Sequence, residues 1–173
     1  MRIVALFVVG AALVATAAAT TAVAQDARTR LMESRFWSAF KMQPADGPVC
    51  WAATTPTQSN YSQNPGTVGE TFLMASYRPR AGVSGEISII SGVPFDESRP
   101  VTLQVGRSNF TLFAVGDGAW VEGEQEERRL FSALRGGATA IVTAGVAGGS
   151  RVEHNFSLAG FTAASNAAQA ACR

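Results

Sequence analysis

Charge of one sign is what this sequence most plainly lacks. Its 14 Lys+Arg stand against 13 Asp+Glu, and no block of like charge occurs along it. A nucleic-acid binder needs a basic stripe that releases phosphate counterions, and attachment to anionic lipid needs a basic cluster at the bilayer surface. Both are excluded as the basis of function. Histidine is almost missing too, with His154 the only one, and there are two cysteines, Cys50 and Cys172. Two cysteines so far apart make neither a zinc site nor a C-x-x-C redox pair, and no carboxylates stand at ligand spacing beside the histidine. The glycine-rich Gly145-Val146-Ala147-Gly148-Gly149 has no P-loop lysine, and no βαβ unit follows it. Ser150 and Ser157 lie near His154, but neither sits in a Gly-x-Ser-x-Gly elbow. The sequence therefore gives no catalytic, metal or cofactor site, and a hydrolase built on His154 and a serine ranks last among the functions it allows.

What is there begins with Met1-Arg2, followed by an uncharged run from Ile3 to Val14 that thins into Ala and Thr and reaches Ala22-Val23-Ala24 before Gln25. A cationic start, an apolar middle and small residues two apart describe a secretory signal peptide over residues 1–24. Without it, Lys+Arg and Asp+Glu balance at 13 each, and residues 25–173 form one domain large enough to bury a core and without a stable membrane span. Export places Cys50 and Cys172 in an oxidising space, where an even number of cysteines pairs. A Cys50–Cys172 disulfide is expected, tying the C-terminal segment to the early part of the domain.

Short segments rich in β-branched and aromatic residues dominate the rest. Phe36–Phe40 reads as a first strand and Val49–Thr54 as a second, with turn chemistry in Pro44-Ala45-Asp46-Gly47-Pro48 between them. Arg28 to Glu33 reads as a helical turn, and Thr55 to Gly69 as the longest loop. Phe72–Tyr77, Glu86–Ser91, Val101–Val105, Asn109–Val115, Thr139–Val146 and Val152–Leu158 follow as strands between glycine-rich turns. That spacing predicts an all-β, antiparallel β-sandwich or barrel-like domain.

Two helices interrupt the pattern. Glu124 to Leu134 places Leu130, Phe131 and Leu134 on one side of a short inserted helix that stops at Gly136-Gly137. After Gly160 the apolar period changes from 2 to 3.6, and Phe161, Ala164, Ala168 and Cys172 form one stripe of a C-terminal helix. Cys172 then points at the sheet and pins a helix whose other contacts are mainly alanine.

Three residues are candidates to face a partner. Arg78 and Arg80 flank Pro79 at a strand end, and Trp120 follows Gly116-Asp117-Gly118-Ala119 at a strand edge. Trp37 and Trp51 lie in strand-like runs and read as core, and His154 shares an apolar strand face with Val152, Phe156 and Leu158. Asn60, Asn109 and Asn155 each open an Asn-x-Ser/Thr sequon; chance accounts for them in a chain of this composition.

Taken together these pieces resemble the invasion-associated locus B family of exported bacterial proteins. The resemblance is carried by Val49-Cys50-Trp51-Ala52, Tyr77-Arg78-Pro79, Ser91-Gly92-Val93-Pro94-Phe95, Asn109-Phe110-Thr111-Leu112-Phe113, Asp117-Gly118-Ala119-Trp120, Leu134-Arg135-Gly136-Gly137 and the closing Phe156-Ser157-Leu158-Ala159-Gly160-Phe161-Thr162-Ala163-Ala164 before Cys172. It spans Phe36 to Cys172 and departs at Phe36-Trp37-Ser38, where the family often has Gly-Asp-Trp. It implies an all-β domain of the Gram-negative envelope, in a family some of whose members are associated with entry into host cells, and it carries over no catalytic residue. The expected function is that of a non-enzymatic envelope protein that binds a protein or envelope partner, including a host surface. The alternative is a periplasmic ligand-binding or chaperone-like accessory factor. The expected location is the periplasm, with outer-membrane association or surface display as further possibilities.

Overall fold

The computed structural model describes residues 28–173, and the leader expected over residues 1–24 lies outside them. The chain runs β1 (Thr29–Ser34), β2 (Trp37–Met42), β3 (Val49–Thr54), β4 (Gln58–Tyr61), β5 (Phe72–Arg78), β6 (Val83–Ile90), β7 (Val101–Val105), β8 (Ser108–Val115), β9 (Gly118–Val121), α1 (Glu124–Gly136), β10 (Thr139–Gly145), β11 (Arg151–Ser157) and α2 (Phe161–Ala171). All the strands join one antiparallel sheet in the order β1-β2-β3-β5-β6-β9-β8-β7-β10-β11-β4.

A sheet this wide coils, because each strand twists in the same hand. The coiling brings its ends together. Trp37 in β2 donates its indole N–H to the Ser157 carbonyl at 2.9 Å, and the Phe36 amide donates to Ala159 at 3.3 Å. Yet β1 and β4 remain unpaired edges. The all-β antiparallel architecture with an inserted and a C-terminal helix is as the sequence implied, in the form of one coiled sheet that is not a closed barrel.

Strict alternation builds the inner face. Val101, Leu103 and Val105 of β7 and Phe110, Leu112 and Ala114 of β8 point inward, with more exposed residues between them. On the β2–β5 half the inner face is cut down to alanine: Ala39, Ala52 and Ala75 stand side by side in register. The α2 stripe of Phe161, Ala164, Ala168 and Cys172 is buried, and α2 packs across β1, β2, β3 and β5. Small residues on both partners let helix and sheet approach closely. The Cys50–Cys172 disulfide forms there, with the Cα atoms 5.9 Å apart. Closing a loop of 122 residues restricts the unfolded chain by about 4–5 kcal/mol. Helix α1 buries Leu130 and Leu134, and Phe131 meets Phe161 edge-on at 5.3 Å; Phe161 in turn meets Trp37 at 4.9 Å.

Several sequence expectations need correction. Arg28 to Glu33 is no helical turn; most of it is edge strand β1, paired with β2 from Thr29↔Lys41 to Ser34↔Trp37. Its Arg30–Glu33 pair, at 2.9 Å, has helical spacing, but cross-strand pairing outweighs that weak local signal. The expected first strand is thus the second, and it starts at Trp37. Within the supposed loop 55–69, Gln58–Tyr61 forms edge strand β4 against β11. An edge strand of polar residues buries little apolar surface, so its composition reads as loop. Trp51 is not core: it is half-buried on the outer face, stacked on Phe40 at 5.4 Å.

Candidate functional site: an apolar groove on the outer face

The outer face of β5, β6, β9 and β8 carries two neighbouring cross-strand rows. One runs Met74, Ser88, Trp120, Phe113, and the next runs Phe72, Ile90, Gly118, Val115. Residues two apart on a strand share a face, so both rows look outward. Met74, Ser88, Ile90, Phe113 and Trp120 of these rows line an open groove of about 600 Å³. Phe113 is 49% exposed and Val115 59% exposed. Trp120 is half-buried because its six-membered ring lies over Gly118, where a Cβ would strike it. Phe113 flanks it at 6.1 Å between ring centroids.

At one end the groove turns polar. Arg78 at the close of β5 pairs with Glu86 of β6 at 2.7 Å, and Glu127 reaches over from α1 to accept the Ile87 amide. Burial raises the Glu127 carboxyl above its ordinary range, against the lowering by that hydrogen bond, and nearby Glu86 raises it further.

Of the three residues singled out in the sequence, the fold brings two together here: Arg78 and Trp120 line the same groove. Arg80 lies outside that groove, beside Arg78 in a cleft against the turn at residues 44–48. Its side chain lies across Gly47 and its guanidinium donates to the Ala45 carbonyl at 3.4 Å, covering the turn between β2 and β3. Trp120 belongs to strand β9 rather than to a strand edge. Missed altogether were Phe72, Met74, Ile90, Phe113 and Val115. The signal for two of them was present in Leu112-Phe113-Ala114-Val115, an unbroken apolar run that violates alternation in a strand with only one core-facing side.

His154 sits inside the sheet. It is fully buried on β11, its Nδ1 2.8 Å from the Ser59 hydroxyl of β4 and its Nε2 3.3 Å from the Ser91 hydroxyl beyond β6. Its partners are therefore neither Ser150 nor Ser157. Burial lowers its pKa to about 4, so the neutral ring joins an edge strand to the opposite half of the core. The Tyr61 ring meets it edge-on at 5.9 Å. The sequon asparagines Asn60, Asn109 and Asn155 all lie within strands β4, β8 and β11. Among the described residues no group of three or more His, Cys, Asp or Glu side chains gathers at metal-binding distance, and no helix is long and apolar enough to cross a membrane.

A coiled antiparallel sheet, clamped to its C-terminal helix by a disulfide and open on one apolar outer face, defines a disulfide-stabilised all-β domain suited to an oxidising compartment. The chain belongs to the invasion associated locus B (IalB) protein family, whose model matches residues 37–169. No curated protein matches it. Among solved structures it is similar to the crystal structure of invasion associated protein B from Bartonella henselae. That likeness has a TM-score of 0.53 and 19% identity, over 81% of this chain and 96% of that one. At such identity it shows the shared fold.

Proposed function

We propose that this chain is an exported, non-enzymatic envelope protein that binds a protein partner through the groove on β5, β6, β9 and β8. The observation that carries this reading is the outer-face strip of Phe113, Val115 and Trp120, bordered by the Arg78–Glu86 pair. Partially exposed aromatic residues beside a charged rim are the composition of a protein interface, and Trp and Arg are the residues that most often dominate binding energy. Family membership and the disulfide support export. The leader expected over residues 1–24 delivers the chain to the periplasm, and surface display would take a second crossing. The related Bartonella protein is described as invasion associated, which favours a host-surface partner over a periplasmic housekeeping role.

A photo-crosslinking residue in place of Phe113, with Ala163 on the exposed side of α2 as the control position, tests the reading in living cells. A discrete adduct from position 113 and none from 163 is expected. Folded protein that yields no adduct from the outer face, with or without host cells, removes it. Protease treatment of intact and permeabilised cells then separates surface display from periplasmic residence.

A further inference from the structure

A second concave site adjoins that groove at Glu127 and lies between α1 and α2 over the β5–β6 end of the sheet. It encloses about 260 Å³. Phe131 and Arg135 of α1 form one wall, Asn166 and Gln169 of α2 the other, and Tyr77 lines it from β5. Beneath Phe131 lies Gly85, with φ of +88°, where a Cβ would come within 3.1 Å of the ring. Glycine there lets the aromatic ring settle onto the sheet while its other surface helps line the cleft.

The arginines of α1 are not equivalent. Arg128 pairs with Glu124 at 3.0 Å and Arg129 with Glu126 at 2.7 Å, each with an acid three or four residues earlier. Arg135 has Phe131 and Ser132 at those positions. Among the described residues no carboxylate lies within ion-pair distance of it. Instead it donates to the Asn166 side-chain oxygen at 3.2 Å, with its guanidinium carbon 5.9 Å from the Phe131 ring centroid. One hydrogen bond leaves most of its five donors free. Burial raises the Tyr77 phenol above its ordinary range; a Ser165 hydrogen bond and the Arg135 charge both pull it down, so that charge is felt inside the cleft. Glu127 lines the same cleft, but its carboxylate is turned to the Ile87 amide.

We propose that this cleft binds a carboxylate carried on a small apolar body, with Arg135 taking the carboxylate and Phe131 the apolar part. An unpaired guanidinium fork beside an aromatic face matches that chemistry, since it engages two carboxylate oxygens at once. The Asn166 and Gln169 amides supply orienting polar groups beside the Phe131 face. Two sources present this ligand: a free organic acid, and the C-terminus of a peptide with an apolar last residue.

Heteronuclear NMR titrations of the disulfide-bonded protein test the site with phenylacetate, its neutral isostere phenylacetamide, and N-acetyl-Ala-Ala-Phe with a free carboxylate. Saturable shifts confined to Tyr77, Phe131, Asn166 and Gln169 are expected with the acids. Affinity should fall at least ~tenfold with the amide or in Arg135→Gln, as loss of a charge-assisted pair requires, while Arg129→Gln leaves it unchanged. Tighter binding of the tripeptide assigns a peptide terminus, and tighter binding of phenylacetate assigns a free acid. No saturable shift with either acid overturns the proposal, as does saturation at these residues that Arg135→Gln leaves intact. The crosslinking at position 113 reads a different face, so either site fails without the other.

Discussion

Trp120 lies over Gly118, two residues earlier on the same strand, with its six-membered ring where a Cβ at that position would stand. The absence of a side chain at Gly118 thus shapes the floor of the outer groove: it lets a large aromatic lie down on the sheet.

Gly118→Ala should therefore push the Trp120 indole off the sheet. Forcing an extra methyl into such a contact costs about 1–3 kcal/mol. Near-UV circular dichroism should change with Trp120, the urea midpoint should fall, and any partner adduct formed at position 113 should weaken. Phe113→Ala makes the contrast, because a half-exposed side chain contributes little to folding: stability within about 0.5 kcal/mol of the parent is expected.

His154 gives the protein an acid limit. Its pKa is about 4 in the fold and about 6.5 in the unfolded chain, so the unfolded state binds the extra proton between those values. Its contribution is complete above about pH 6.5 and is lost as pH falls through 4, by about 3 kcal/mol in all. The groups facing it, Ser59, Ser91, Tyr61 and Phe156, carry no charge in that range. Urea unfolding from pH 7 to pH 4 should show the decline, and His154→Gln should flatten it relative to the parent. An identical slope in that variant would assign the decline to the carboxylates instead.

The disulfide should be the largest single stabiliser. Replacing Cys50 and Cys172 together by serine removes a constraint worth about 4–5 kcal/mol, less whatever strain it carries. The loss should be greatest around the C-terminal end of α2, since Phe161 against Trp37 still anchors its start and the contacts between are mainly alanine. Hydrogen exchange of residues 161–171 in the double variant measures it. The parent, alkylated without reduction, should show no labelled thiol by intact mass.

Much of this was legible in the sequence where one physical signal dominated. The alternation of Val101, Leu103 and Val105 placed β7, the change of period after Gly160 placed α2, and cysteine parity gave the bridge. The failures share a cause: they concern residues whose role is decided by a distant partner. Gln58–Tyr61 is a strand because β11 offers an edge, and Thr29–Ser34 because β2 does. Trp51 looks like a core residue in any window, and only the register shows that it faces outward. Ser59 and Ser91 are separated from His154 by 95 and 63 residues, and no local pattern joins them.

The alanine row of Ala39, Ala52 and Ala75 has a consequence for how the molecule is made. Those residues are covered by α2 and locked by Cys172, so strands that emerge early are sealed by the last helix to emerge. Until the chain as far as Cys172 has emerged, the β2–β5 half presents an uncovered inner face and a lone thiol at Cys50. A chain not yet extended to α2 is therefore one whose first strands stay open to whatever holds unfolded proteins.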